Sequence, residues 1–234
     1  MAAVMKGHST VLAEGISSAR RVMDAIITGV EHGRFVPGQR LIEADLTSEL
    51  KVSRGPVREA FTRLAGEGVL VLSKNRGAFV RAQTREEAVD MMSVLEALAG
   101  LAAKLAATHI DEGRNRKKLQ RVFAAALHSG EAGETLGFLE QRREFYDTLY
   151  DIGGNNQLAQ VVPRLKIALL RLQFKSFVSR EQHELQLLEL SAIAEAVLKG
   201  DPKKAESVAR LHLRRRRTQI QRLPDEAYAA ARAN

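Results

Sequence analysis

The chain of 234 residues contains no cysteine. Disulfide frameworks, thiolate zinc sites and cysteine nucleophiles are therefore excluded. Long hydrophobic runs are missing too. The longest apolar stretch, Val94 to Ala107, is interrupted by Glu96 and Lys104 and falls short of the roughly 20 residues a bilayer span needs. No apolar run follows a basic segment near the start, so no secretory signal is expected. The sequence shows no Ser, His, Asp order and no metal-ligand cluster at useful spacing. Gly153-Gly154-Asn155-Asn156 has no strand before it and no Lys-Ser/Thr after it, so it reads as a helix stop rather than a phosphate cradle. These absences predict a cytoplasmic protein that is not an enzyme, holds no cofactor and has no membrane partner. An all-helical enzyme is the remote alternative.

Positive charge, by contrast, is abundant. The formal net charge is +8 and the sequence pI is about 10.0, which favours a polyanionic partner. Residues 1–82 carry 12 Lys+Arg against 8 Asp+Glu and the remainder 24 against 20, so both parts stand at +4. Charge therefore suggests nucleic acid without saying where it binds.

The location comes from Val52 to Leu64, reading VSRGPVREAFTRL. Ser53 is a good helix N-cap residue and Pro56 falls in the first turn, where its missing N–H costs nothing. Val57, Ala60, Phe61 and Leu64 recur at the spacing of one buried helix face. Arg54 and Arg58 lie a turn apart at the leading end, as in a recognition helix entering a major groove. A solvated surface helix is the bland reading of this stretch alone. Upstream, Glu43 to Leu50 reads as a short helix with Ala44, Leu46 and Leu50 inward, one tight turn away. Before it, Ser17 to Val30 gives a first helix with Val22, Ile26 and Ile27 on one face, followed by a Pro37-Gly38 turn. Downstream, Val69 to Leu72 and Ala78 to Val80 are β-prone runs joined by a basic tip, Ser73 to Gly77. The order is that of a winged helix-turn-helix over residues 1–82, whose wing can lie along phosphates.

These residues resemble the DNA-binding domain of the GntR family of bacterial transcription regulators. The resemblance runs from Gly33 to Val80 and rests on the turn, the VSR-x-PVREA block and the G-x-F-V wing, in order. It implies that Arg54 and Arg58 read or clamp an operator in double-stranded DNA. Ser53, Gly55 and Pro56 would approach the backbone, and Arg40, Asn75, Arg76 and Gly77 would hold phosphates or the groove edge. Gly55 replaces a larger threonine or serine usual in the family.

From Thr84 onward every periodic segment is helical, which predicts an antiparallel α-helical bundle over residues 83–234 and a mostly α protein. Thr84 to Glu87 is a capping box opening a helix with Met91, Leu95, Leu98, Ala102 and Leu105 inward. Further helices are expected over Asn115–Leu127, Thr135–Ile152, Asn156–Lys175 with Pro163 as a kink or restart, Ser179–Lys199, and Asp201 to about Leu223. The runs LEALAGLAAKLAA, FYDTLYDIGGN and AIAEAVLKGDPKKAESVARLH resemble the FCD group of the same family. That resemblance implies an effector-binding domain, often with a divalent metal held by an aspartate and three histidines.

In this sequence those four positions are Arg142, Tyr146, Leu190 and His212. Guanidinium and leucine do not ligate metals, and His183 lies two turns too early to substitute. An arginine the family places four residues before Glu96 is here Met92. A metal-free pocket is expected, with Arg142, Tyr146, Arg171 and His212 facing a small organic acid that accepts a bidentate pair. The competing reading pairs Arg142 with Glu96, Glu144 or Asp147 and leaves the pocket plugged. The run Arg214–Arg217 reads as solvated charge at a helix end. Together these features predict a homodimeric, ligand-responsive regulator on an inverted-repeat operator; the alternative is a constitutive regulator whose bundle only dimerises.

Overall fold

The computed structural model describes residues 17–74, 76–133, 135–162 and 164–229. Helix α1 (Ser18–Glu31) is capped by Ser17, whose Oγ accepts from the Arg20 N–H at 3.1 Å. It buries Val22, Met23, Ile26 and Val30. The chain turns at Gly38, whose φ of +85° favours glycine, into strand β1 (Arg40–Leu41), then α2 (Glu43–Leu50) and α3 (Arg54–Gly66). Strands β2 (Leu70–Ser73) and β3 (Gly77–Val80) form the wing, and the antiparallel sheet has the order β1-β3-β2. Arg40 pairs with Phe79 and Leu70 with Val80.

Three local expectations need correction. Strand β1 was not foreseen, because two residues are too few to show a period. Ala44 is exposed, so α2 packs chiefly through Leu46, with Leu50 half-buried. Ser53 stands at the N-cap of α3 with extended backbone, but its side chain makes no cap hydrogen bond. Pro56 one turn in leaves fewer N–H groups there to satisfy.

The bundle begins with α4 (Arg85–Thr108), and the foreseen capping box is formed in both directions between Thr84 and Glu87, at 3.1 and 3.2 Å. Helices α5 (Asn115–Gly130), α6 (Leu136–Ile152), α7 (Asn156–Val161), α8 (Arg164–Phe174), α9 (Arg180–Leu198) and α10 (Pro202–Gln221) follow. The expected fourth helix is thus two helices. Val162 is extended at the break, as a residue preceding proline prefers.

The buried face of α4 is built from alanines 99, 102, 103, 106 and 107 more than from the leucines expected, and it packs mainly against α10. Leu98 and Leu105 are only partly buried. Small residues let the two helices approach closely: a Cβ on Gly100 would fall 2.5 Å from the Arg210 side chain. At 24 residues α4 is, by length and composition, apolar enough to cross a membrane. Half of that apolar window is buried in the protein, and Glu96 within the helix is ion-paired.

The core of the winged helix joins Val22, Ile26, Leu46, Val57, Phe61, Leu64, Leu70 and Val80. Leu169 of α8 belongs to the same cluster, so the bundle completes the core of the N-terminal part.

Candidate nucleic-acid interface and effector pocket

The leading turn of α3 presents Arg54 and Gly55 to solvent, and Ser53 before it is exposed as well. Pro56 is half-buried behind them. A Cβ on Gly55 would meet nothing within 4 Å, so the position has room for the larger residue usual in the family. Arg58 is two-thirds exposed, and its Nε donates to both carboxylate oxygens of Glu43, at 3.0 and 3.2 Å. Glu43 opens α2, so this contact spans the helix-turn-helix and orients Arg58 on the outer face. The sequence reading missed Glu43. Its one signal was an acidic residue heading the helix before the recognition helix.

At the wing, Gly77 has φ +88°, and a Cβ there would lie 3.7 Å from the Arg40 Nε. Arg40 therefore reaches the wing from β1. Arg76 is exposed, and its backbone N–H closes the turn onto the Ser73 carbonyl at 3.2 Å. Asn75 lies outside the described residues. Arg54 and Arg58 form one exposed basic group, and Arg40, Arg76 and Gly77 form a second.

Inside the bundle, Arg142, Tyr146, Arg171 and His212 line one cavity of about 60 Å³. An adjoining cavity of about 50 Å³ shares Tyr146 and Arg171 and continues to Arg143, Asp147 and Tyr150. Arg142 is buried on α6; its Nη1 donates to Gln186 Oε1 at 2.5 Å, and its guanidinium lies 5.2 Å from the Phe138 ring centroid. The Tyr146 hydroxyl and the Gln186 Nε2 are buried with no hydrogen-bond partner among the described residues. Burial pushes the Tyr146 phenol above its usual range. Burial, and then the like charge of Arg142, push Arg171 down to about 10. His212 is lowered by burial, against the opposing hydrogen bond of its Nδ1 to Glu189 at 2.7 Å. Two guanidiniums and the Tyr146 phenol thus line one cavity, in which the phenol has no acceptor among the described residues.

The readings of individual charges change accordingly. Glu96, one expected partner of Arg142, is taken from α10 by Arg214 at 2.8 Å, Arg217 at 3.4 Å and Arg210 at 3.8 Å. Arg214 holds the Glu96 carboxyl below the usual carboxylate range. Arg215 pairs with Glu189 at 2.6 Å. Arg214, Arg215 and Arg217 therefore clamp the carboxylates of α4 and α9 while their side chains stay partly in solvent. His183 is buried, hydrogen-bonded to the Gly130 carbonyl at 2.8 Å and edge-on to Phe138.

Comparison with known proteins agrees with this architecture. The model of the bacterial regulatory proteins of the gntR family matches residues 18–80, and the FCD domain matches residues 90–215. The chain belongs to the GntR family, FCD group. The Nta operon transcriptional regulator of Aminobacter aminovorans is 30% identical over 161 residues, 68% of this chain and 75% of that protein. The HTH-type transcriptional repressor RspR of Escherichia coli K12 is 26% identical over 184 residues, 79% of this chain and 80% of the repressor. Among solved structures, a GntR transcriptional regulator from Rhodococcus sp. RHA1 superposes with a TM-score of 0.72 at 23% identity, covering 86% of this chain and 96% of its own. McbR/YncC of E. coli gives 0.71 at 18% identity, over 88% and 97% of the two chains. These two likenesses establish the fold.

The metal that the FCD group often carries does not fit this regulator's pocket. Arg142 is a guanidinium bonded to Gln186, Leu190 is part of the apolar core, and His212 is engaged by Glu189. Among the described residues no group of three or more His, Asp or Glu is placed to hold an ion.

Proposed function

We propose that this regulator binds an inverted-repeat operator as a homodimer and changes its grip when a small carboxylate enters the Arg142 pocket. One observation carries the effector reading: Arg142, Arg171 and Tyr146 line one cavity, and the Tyr146 hydroxyl has no acceptor among the described residues. A carboxylate would accept from a guanidinium and the Tyr146 hydroxyl together, and would offset the mutual repulsion of the two arginines. Cavities of about 60 and 50 Å³ favour an acid of a few heavy atoms, with its apolar part toward Val162 and Leu213.

On DNA, Arg54 and Arg58 meet base edges in the major groove while Arg40 and Arg76 hold phosphates beside the wing. One winged helix covers too little DNA for a strong site, so two copies on paired half-sites supply the specificity.

Calorimetry with a panel of small mono- and dicarboxylates tests the pocket. Binding by at least one acid, lost in Arg142→Met, is the expected result. If no acid binds, the bundle serves dimerisation only. Duplexes selected from a random pool should converge on an inverted repeat, and light scattering should give a dimer. A monomer at micromolar concentration, free and on DNA, overturns the symmetric reading.

A further inference from the structure

Six consecutive residues of α8, Ala168 to Gln173, touch the winged helix, the bundle and the connection between them. Leu169 is 1% exposed and lies in the core of the winged helix, with Ala168 and Leu172 packed against the same cluster. Leu170, on the next face of the helix, packs into a bundle cluster with Met92, Leu95 and Phe174. Arg171 lines both pocket cavities. It also lines a third, of about 90 Å³, between His32 at the end of α1 and Leu136 at the start of α6. Gln173 holds the connection between wing and bundle: its Oε1 accepts from the Gln83 N–H at 2.8 Å, and its Nε2 donates to the carbonyls of Gln83 at 2.9 Å and Ala227 at 3.0 Å.

The helix that makes these contacts is a separate rigid piece. It has 11 residues, starts after the extended break at Val162 and ends at a single 3-10 turn, Lys175–Phe177. It can shift as a unit without bending a longer helix.

From this placement we infer that α8 is the lever that reports pocket occupancy to the winged helix and its linker. The inference rests on the carboxylate pocket proposed above and names how that pocket is read. An anion between Arg142 and Arg171 draws the two guanidiniums together, and Arg171 carries α8 with it. Leu169 is embedded in a close-packed core that cannot absorb the shift by leaving a gap, so the winged helix follows. Gln173 moves the 81–83 connection in the same step. In a dimer this resets the spacing of the two recognition helices, which is the differential contact that allosteric control requires.

Hydrogen exchange on the full chain tests the lever without a known effector. Arg171→Met removes one of the two like charges and imitates part of the change made by a bound anion. It should alter exchange in α1 and the 81–83 connection by about threefold or more, alongside changes in α6. In a Leu169→Ala/Gln173→Ala background, which removes the embedded side chain and the hold on the connection, the same substitution should still alter α6 while leaving α1 and the connection within experimental error. Should Arg171→Met fail to fold, Arg171→Gln replaces it. Changes confined to the bundle, with α1 and the connection unmoved in the otherwise native chain, overturn the lever.

The carboxylate panel separates the two readings. If no acid binds but Arg171→Met still reaches α1, the lever stands and the pocket assignment fails. If an acid binds and α1 exchange does not respond, the pocket stands and the lever fails.

Discussion

The winged helix and the bundle carry the same formal charge, +4 each, yet they set their arginines in opposite surroundings. On the recognition helix, Arg54 is exposed and Arg58 is held by one carboxylate that leaves two-thirds of its side chain in solvent. In the bundle, Arg142 is buried beside Phe138 and Gln186, and Arg214 and Arg217 close over a buried Glu96. An exposed guanidinium keeps its hydration and adds little to folding, so it stays available to an outside anion. A buried one has already lost its water and must be satisfied from within, so it acts on stability and on whatever anion reaches it. Arginine content is therefore uninformative by itself, and the partner and the depth decide what each side chain does.

The largest contrast should come from the recognition helix. Arg54→Ala and Arg58→Ala are each expected to weaken specific operator binding by about 1–3 kcal/mol, roughly 5- to 150-fold, with the melting temperature unchanged. Mobility shift at matched salt checks this, and parent-like binding by both variants would remove α3 from the interface. Glu96→Gln should do the reverse. Loss of the carboxylate between α4 and α10 is expected to lower bundle stability by about 1–2 kcal/mol in denaturant melts. DNA affinity of the folded fraction should be retained.

Arg171→Met sharpens the comparison further, because removing a buried charge next to a like charge should not destabilise. The expected outcome is unchanged or slightly raised stability, by about 1 kcal/mol at most, together with loss of carboxylate binding. A clear loss of stability would show that Arg171 is a structural cation.

The smallest effect concerns His212. Its folded pKa lies below the ordinary value, so the unfolded chain binds the proton more readily. Its contribution is full above the unfolded pKa near 6.5 and is lost as pH falls through the lower folded value. Melting temperature should therefore drop as pH falls below about 6.5, and His212→Gln should flatten the early part of that drop by a few tenths of a kcal/mol. Glu189 complicates only the lower end. Burial works to raise its pKa, but His212 and Arg215 hold it below the usual carboxylate value, so its contribution is lost at more acid pH.

How far the sequence could be read followed from distance along the chain. The capping box at Thr84 and the helix starts at Ser17, Ser179 and Asp201 were legible because each N-terminal hydrogen bond closes within three residues. The recognition helix was legible because its buried stripe repeats within 13 residues. The pocket set Arg142, Tyr146, Arg171 and His212 was reached by likeness to a family, and the fold does bring those four side chains to one cavity. Their partners were not reachable. Gln186 lies 44 residues from Arg142, and Arg214 lies 118 from Glu96. Strand β1 shows the same limit, since its two residues become a strand only when β3 folds back beside them.

The sequence by itself determined most of the helices, the wing, the buried face of α3 and the chemistry available, because periodicity, capping and turn residues act over a few positions. Tertiary structure alone decided which charges meet: Glu43 with Arg58, Glu96 with three arginines of α10, and Glu189 with His212. It also decided that Leu169 of the bundle lies in the core of the winged helix. The physical reason is one of range. Helical pattern is set by contacts three and four residues apart, whereas ion pairing and core sharing depend on how whole elements pack, which no local window contains.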